Sequence, residues 1–279
     1  MTPPSCAEPS KLAAPQTSNW TWQSWEGLEY LTCDLLSPWS HGFFTRKFSP
    51  KSPAELTSAL AQNASVLRVK QVHGDRVLTP TEITHTPHAP ESSYPPADGV
   101  LTEAGNQAAW VCTADCTPTL IGDLTTGMVL AVHAGWRGTA QQIVPKGIAR
   151  LLDQGAKLNT LRVALGPAIS GAAYQVHQEV ADQLVATLDA CPTPSPESLP
   201  EPLPGQWAGL TPVQSDPEPG KARLDVRHVN LLQLLELGLG AEQLAIAPHC
   251  THSEPDQFFS YRRDGTKTVQ WSGIVSGSH

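Results

Sequence analysis

The sequence predicts an α+β fold with a mostly antiparallel or mixed sheet. Three observations carry that expectation: short β-rich runs outnumber helical ones, tight turns join some of them, and helical periodicity is confined to three stretches. In chain order the β-rich runs are VLRVKQV at 66–72, AAWVCTA at 108–114, PTLIGD at 118–123, MVLAVHA at 128–134 and LRVALG at 161–166. LAIAP at 244–248, QFFSYRR at 257–263 and TVQWSGIV at 268–275 complete the set. Their branched and aromatic side chains suit a pleated surface. The first helical pattern follows Gly138, with Ile143, Val144, Ile148, Leu151 and Leu152 on one face. Pro145 inside it lacks an N–H and should kink the helix or delay its start. The second lies at 174–190, through Val176, Val180, Leu184 and Leu188. The third, LDVRHVNLLQLLELG at 224–238, closes on Gly238, a residue suited to a helix C-terminus.

At 279 residues with 40% hydrophobic side chains, the chain can bury a sizeable core. A net charge of −8 without any basic run excludes a nucleic-acid surface or an anionic-membrane surface, both of which need clustered cations. The start MTPPSCAEPSKLAAPQ has neither a basic head nor a long apolar stretch, and no later segment resembles a bilayer span, so a cytoplasmic location is expected. Six cysteines, at 6, 33, 112, 116, 191 and 250, are too dispersed for a disulfide framework and are expected to be reduced. Pro, Ser and Thr dominate residues 1–18, which read as a disordered tail. Pro-rich stretches near 84–97 and 191–220 read as loops or insertions, and no internal repeat is visible.

The stretch ADCTPTLIGDLTTGMVLAVHAGWRG reads as a hairpin whose turn uses Gly127 at positive φ. If Asp123 faces Met128, then Pro118 faces His133 and Cys116 faces Gly135. Opposed or diagonal partners lie within roughly 5 to 8 Å, so Cys116 and His133 meet at one end of the hairpin. That distance suits either a shared metal or a thiolate–imidazole pair. An open zinc site takes three protein ligands; His73 in KQVHGDRV is the candidate third. A core or strand-edge role for these residues is the alternative. HCTH at 249–252, offering His249, Cys250 and His252, competes as a ligand cluster. His85, His88 and His279 lie in biased or terminal segments and read as solvent residues. In WRGT, Arg137 and the backbone N–H groups near Gly138 and Thr139 could receive an anion. Arg46 in HGFFTR and Arg262 in FFSYRRDG are the other candidate substrate-binding arginines; a structural ion pair is the alternative for each.

The blocks HGFFTR, KQVHGDRV, ADGVLT, TADCTP, AVHAGWRGT, LGPAIS and FFSYRRDG occur in the order seen in the YfiH-like family, which this chain resembles from about residue 40 onward. That family carries two attributions, laccase-like polyphenol oxidase and purine nucleoside phosphorylase. The resemblance implies a four-layer α/β/β/α single domain with mixed sheets, over 19–279, and a zinc ion held by His73, Cys116 and His133. It implies phosphorolysis of adenosine, inosine and methylthioadenosine, adenosine deamination, and, in the older attribution, copper-dependent phenol oxidation. Purine nucleosides and phosphate would be the partners, with monomer and homo-oligomer both open.

The residues weigh these activities differently. Multicopper oxidation draws on many histidines, typically with H-x-H pairs, and the chain has none. Phosphorolysis needs phosphate held against the ribose C1′ as charge develops, a task for arginines and helix N-termini. Arg46, Arg137 and Arg262 are the candidates. Deamination needs a metal-activated water and an acid/base group; the full H-x-E…P-C-x-x-C signature is missing, which leaves Asp115 as the nearest carboxyl. Orienting a ligand is the other role open to Asp115. A cysteine hydrolase or deamidase with Cys116 as nucleophile and His133 as base is a further alternative, and a structural metal in a binding protein another.

Overall fold

The computed structural model describes residues 20–83, 93–188 and 210–277. The tail expected at 1–18, the Pro-rich residues 84–92 and 191–209, and His85, His88 and His279 lie outside the described residues.

Two six-stranded sheets face each other. The first runs, in spatial order, through β1 (Trp20–Trp25), β2 (Leu28–Cys33), β3 (His41–Phe44), β15 (Gln270–Val275), β7 (Gln107–Thr113) and β4 (Ser65–Leu67). The second runs through β14 (Leu244–Ile246), β10 (Leu161–Leu165), β8 (Thr117–Asp123), β9 (Val129–Ala134), β6 (Gly99–Leu101) and β5 (Val77–Leu78). Both are mixed, with parallel pairs at β4–β7, β5–β6 and β10–β14 and antiparallel pairs elsewhere.

Period-two alternation splits each central strand between two cores. Leu120 and Ala131 point into the inter-sheet core with Phe43, Val111 and Ile274. Ile121, Leu130 and Val132 point the other way, onto Ile143, Ile148, Leu151, Leu231 and Leu234 of α3 (Ile143–Asp153) and α5 (Val226–Glu236). Trp110 and Ala108 leave the first sheet on its far face, toward Leu56 of α1 (Pro53–Leu60). The order helix, sheet, sheet, helices is the four-layer arrangement that the resemblance implied. A third sheet, β11 (Gln175–His177), β13 (Lys221–Leu224) and β12 (Val213–Ser215), packs with α2 (Trp136–Ala140) and α4 (Gln178–Val185) at one end.

The helix expected after Gly138 is two helices. Gln142 breaks them in the left-handed region at φ 58°, and Pro145 then sits in the first turn of α3, where its N–H is not needed. The third helical pattern closes as its glycine suggests: Gly238 has φ +99°, its N–H donates to the Leu235 carbonyl, and that of Leu239 to Leu234. Three expectations are corrected. QFFSYRR is no strand: Phe258 and Phe259 are buried, and Ser260 caps the short helix α6 (Tyr261–Asp264) by accepting from the Arg263 N–H at 3.2 Å. Residues 175–177 pair with β13 before α4 begins. The end of the second Pro-rich stretch forms β12, paired with β13.

Candidate metal centre

The hairpin register is the one counted from the turn. Pro118 faces His133, the Asp123 N–H donates to the Met128 carbonyl at 3.0 Å, and Gly127 has φ +67°. Cys116 thus ends up across from Gly135, where a β-carbon would stand 2.9 Å from the Cys116 Sγ and 3.4 Å from the His73 ring. Only a residue without a side chain lets the thiol and the His73 loop close over this point. One ligand atom from each of His73, Cys116 and His133 lies within 4.8 Å of the others, and the two imidazoles meet edge to face.

Asp98, immediately before β6, positions two of the three residues, His133 through its ring and His73 through its backbone. Its Oδ1 lies 2.8 Å from His133 Nδ1 and accepts the His73 N–H at 2.9 Å; its Oδ2 accepts the Gly74 N–H at 2.7 Å. The Val72 N–H donates to the same carboxylate. His73 has φ 61°, a conformation that three converging N–H bonds hold in place. With Nδ1 committed to a carboxylate, His133 offers Nε2 to the centre, an arrangement common behind metal-bound histidines. Asp98 carries no spacing signal in the sequence beyond ADGVLT, an acid in an apolar, β-rich setting.

Electrostatics tie the pair together. Burial pushes the Cys116 thiol up, but the charge and hydrogen bond of His133, with His73 adding, bring it down to about 6. Burial pulls His133 down, while the Cys116 charge and the Asp98 hydrogen bond raise it to about 9. Two imidazoles and an easily ionised thiol around one point, with His73 exposed, fit a three-ligand metal site. HCTH disperses instead: His249 Nδ1 pairs with Glu254 at 2.7 Å, and Cys250 Sγ accepts from the Ser170 N–H at 3.3 Å. Among the described residues, His73, Cys116 and His133 are the group that can hold a metal.

The rim holds two of the three predicted arginines. Arg262 lies 4.8 Å over the Tyr174 ring, and its guanidinium donates to the Gln175 carbonyl at 2.7 Å. Tyr174 and Trp136 pack against the same apolar cluster, and burial pushes the Tyr174 phenol up to about 12. Arg137 stacks on its neighbour Trp136 at 4.4 Å. Arg46 is elsewhere engaged: it donates to the Pro255 carbonyl at 2.7 Å and lies 4.5 Å over Phe259, supporting the segment that carries Arg262. Thr139 offers no free N–H, because it donates to the Gly135 carbonyl at 2.8 Å. Asp115 is buried and bonded to Thr251 and to the Arg262 N–H. Tyr174 was not anticipated, since nothing local in its sequence marks it.

A four-layer α/β domain with a His-Cys-His cluster at the end of its central hairpin defines a class of candidate metal-site proteins. Residues 51–276 match the family described as multi-copper polyphenol oxidoreductase laccase, and the chain belongs to that family. It is 53% identical over 262 residues to a purine nucleoside phosphorylase of Synechocystis, covering 92% of this chain and 97% of that one. It is 30% identical to the purine nucleoside phosphorylase YlmD of Bacillus subtilis, over 74% of this chain and 68% of that one. The crystal structure of YlmD from Geobacillus stearothermophilus superposes with a TM-score of 0.75 at 25% identity, covering 92% of this chain and 99% of that one. No helix among the described residues is long and apolar enough to cross a membrane.

Proposed function

We propose that this chain is a zinc-dependent purine nucleoside phosphorylase, acting on adenosine, inosine or methylthioadenosine with inorganic phosphate. The observation that carries this reading is the juxtaposition of the His-Cys-His site with Arg262, whose N–H bonds Asp115 beside Cys116 and whose guanidinium lies over Tyr174. The names of the curated relatives support it. Zinc held by His73, Cys116 and His133 would supply Lewis-acid stabilisation of an oxygen that gains charge. Asp98 fixes His133 and the His73 loop. Arg137 and Arg262 hold phosphate by charge-assisted bonds, so that a phosphate oxygen can bond to C1′ as the C1′–N9 bond breaks and the purine leaves with the electron pair. Tyr174 stays a neutral hydrogen-bond donor throughout the physiological range.

Purified protein given adenosine and phosphate should release adenine and ribose 1-phosphate; neither product appearing would overturn the reading. Inosine formed without phosphate would instead report adenosine deamination. Chelation should abolish turnover and added zinc restore it. The two-histidine, one-cysteine donor set also suits copper, so metal analysis of the protein as isolated belongs in the same experiment.

One observation favours a second reading. Cys116 and His133 lie together at the hairpin end, and each favours the charged form of the other, the pairing that activates the nucleophile of a cysteine hydrolase. Alkylation of Cys116 separates the two: a metal-held thiolate reacts only after chelation, whereas a free nucleophile reacts at once.

A further inference from the structure

Asp115 precedes the Cys116 ligand and adopts φ 92°, a backbone region that side-chain-bearing residues rarely enter. Three separate segments fasten onto it, two loops and the start of α6. Its carbonyl accepts the Ile169 N–H at 3.0 Å, its Oδ1 accepts the Thr251 hydroxyl at 2.8 Å, and its Oδ2 accepts the Arg262 N–H at 2.7 Å. Thr251 is itself fully buried, and its N–H donates to the Ala168 carbonyl at 3.1 Å. The Arg262 guanidinium is then set by the Gln175 carbonyl and the Tyr174 ring. Both carboxylate oxygens thus accept from fixed protein donors, and one of those donors is the backbone of the arginine at the mouth.

We propose that Asp115 is a positioning residue that locks Arg262 in register with the Cys116 ligand, acting as a hydrogen-bond acceptor and not as a proton shuttle. For its effect on phosphate use, this rests on the phosphorylase reading; for the placement of Arg262, it does not. The discriminating pair is Asp115→Ala and Asp115→Asn. An asparagine can accept from the Arg262 N–H with its carbonyl and donate to the Thr251 oxygen with its amide, whereas alanine leaves both partners empty.

In the zinc-loaded full chain, Asp115→Ala should accelerate amide exchange across residues 258–264 about tenfold while leaving β8 and β9 protected, since of the two bonds removed one is the charge-assisted bond that holds this segment. It should raise the KM for inorganic phosphate about tenfold and change kcat little. Asp115→Asn should retain the exchange protection, the zinc content and the shape of the pH–rate profile. In an Arg262→Ala background, the alanine substitution should add nothing to the phosphate KM.

Loss of a limb of the pH profile in Asp115→Asn, or damage equal to that of alanine, would make Asp115 an acid/base group and overturn the proposal. So would unchanged exchange at 258–264. A wild type that makes no ribose 1-phosphate defeats the phosphorylase reading alone, because the exchange comparison still decides what Asp115 holds.

Discussion

At the scale of single residues, the site depends on one atom that is missing and one carboxylate that is shared. A methyl group at Gly135 would stand 2.9 Å from Cys116 Sγ, closer than such contacts occur, so the thiol or the His73 loop must retreat. Gly135→Ala should therefore lower zinc affinity on the order of tenfold or more with the fold kept, a loss comparable to that of an outer-shell partner. Competition against a chromophoric chelator measures it; an unchanged affinity would mean that the site has slack the structure does not show. Asp98→Asn replaces an acceptor bonded to three backbone N–H groups and His133 with a group that must turn an NH₂ toward some of them. Zinc affinity should fall by about 10- to 100-fold, and circular dichroism should show the secondary structure retained.

At the scale of elements, α2 has five residues, too few to persist unaided, yet it carries Arg137. It is held from α5: Asn230 Nδ2 donates to the Thr139 hydroxyl at 3.0 Å, and Gln233 Nε2 donates to the Thr139 carbonyl at 3.0 Å and the Thr187 hydroxyl at 2.7 Å. Gln233→Leu removes two buried hydrogen bonds, leaving the Thr139 carbonyl with the Gln142 N–H alone at 2.9 Å, and should cost about 1–3 kcal/mol in urea unfolding. The KM for phosphate should rise with it; stability lost without a change in KM would detach α5 from the site. The same elements show what the sequence could yield. The β8–β9 register was legible because Gly127 and the turn fix it locally, and with it the meeting of Cys116 and His133. The capping box of α1, Ser52 with Glu55, was equally local and was overlooked, as was the alternation of Trp20 and Trp22 in β1. QFFSYRR misled because two buried phenylalanines imitate a strand, while its actual shape comes from Arg263 donating to the carbonyls of Thr251, His252 and Phe258. Asp98 and Tyr174 act through partners distant in sequence, and no local pattern encodes such contacts.

At the scale of the whole molecule, the helical layer is joined to the loops behind the metal centre by one buried ion pair. Asp225 caps α5, accepts the Gly171 N–H at 3.0 Å, and meets Arg227 at 2.8 Å; Arg227 in turn donates to the carbonyls of Ala247 and His249, both at 3.1 Å. Burial raises the Asp225 carboxyl, but the hydrogen bonds and charge of Arg227, with His228 and Gly171, outweigh it and hold the carboxyl below its ordinary value. A carboxyl depressed in the folded state stabilises fully above its unfolded pKa, near 3.9, and loses that contribution as pH falls through the folded value. Asp225→Asn keeps the shape but leaves the buried Arg227 without its counter-charge, so it should lose about 3–5 kcal/mol at pH 7. The loss relative to wild type should shrink below about pH 4, where the native carboxyl also gains its proton. Urea unfolding of both proteins from pH 7 down to pH 3 reads this directly. Parallel curves with a constant offset would show that the pair contributes packing alone, and that acid sensitivity arises in some other carboxylate.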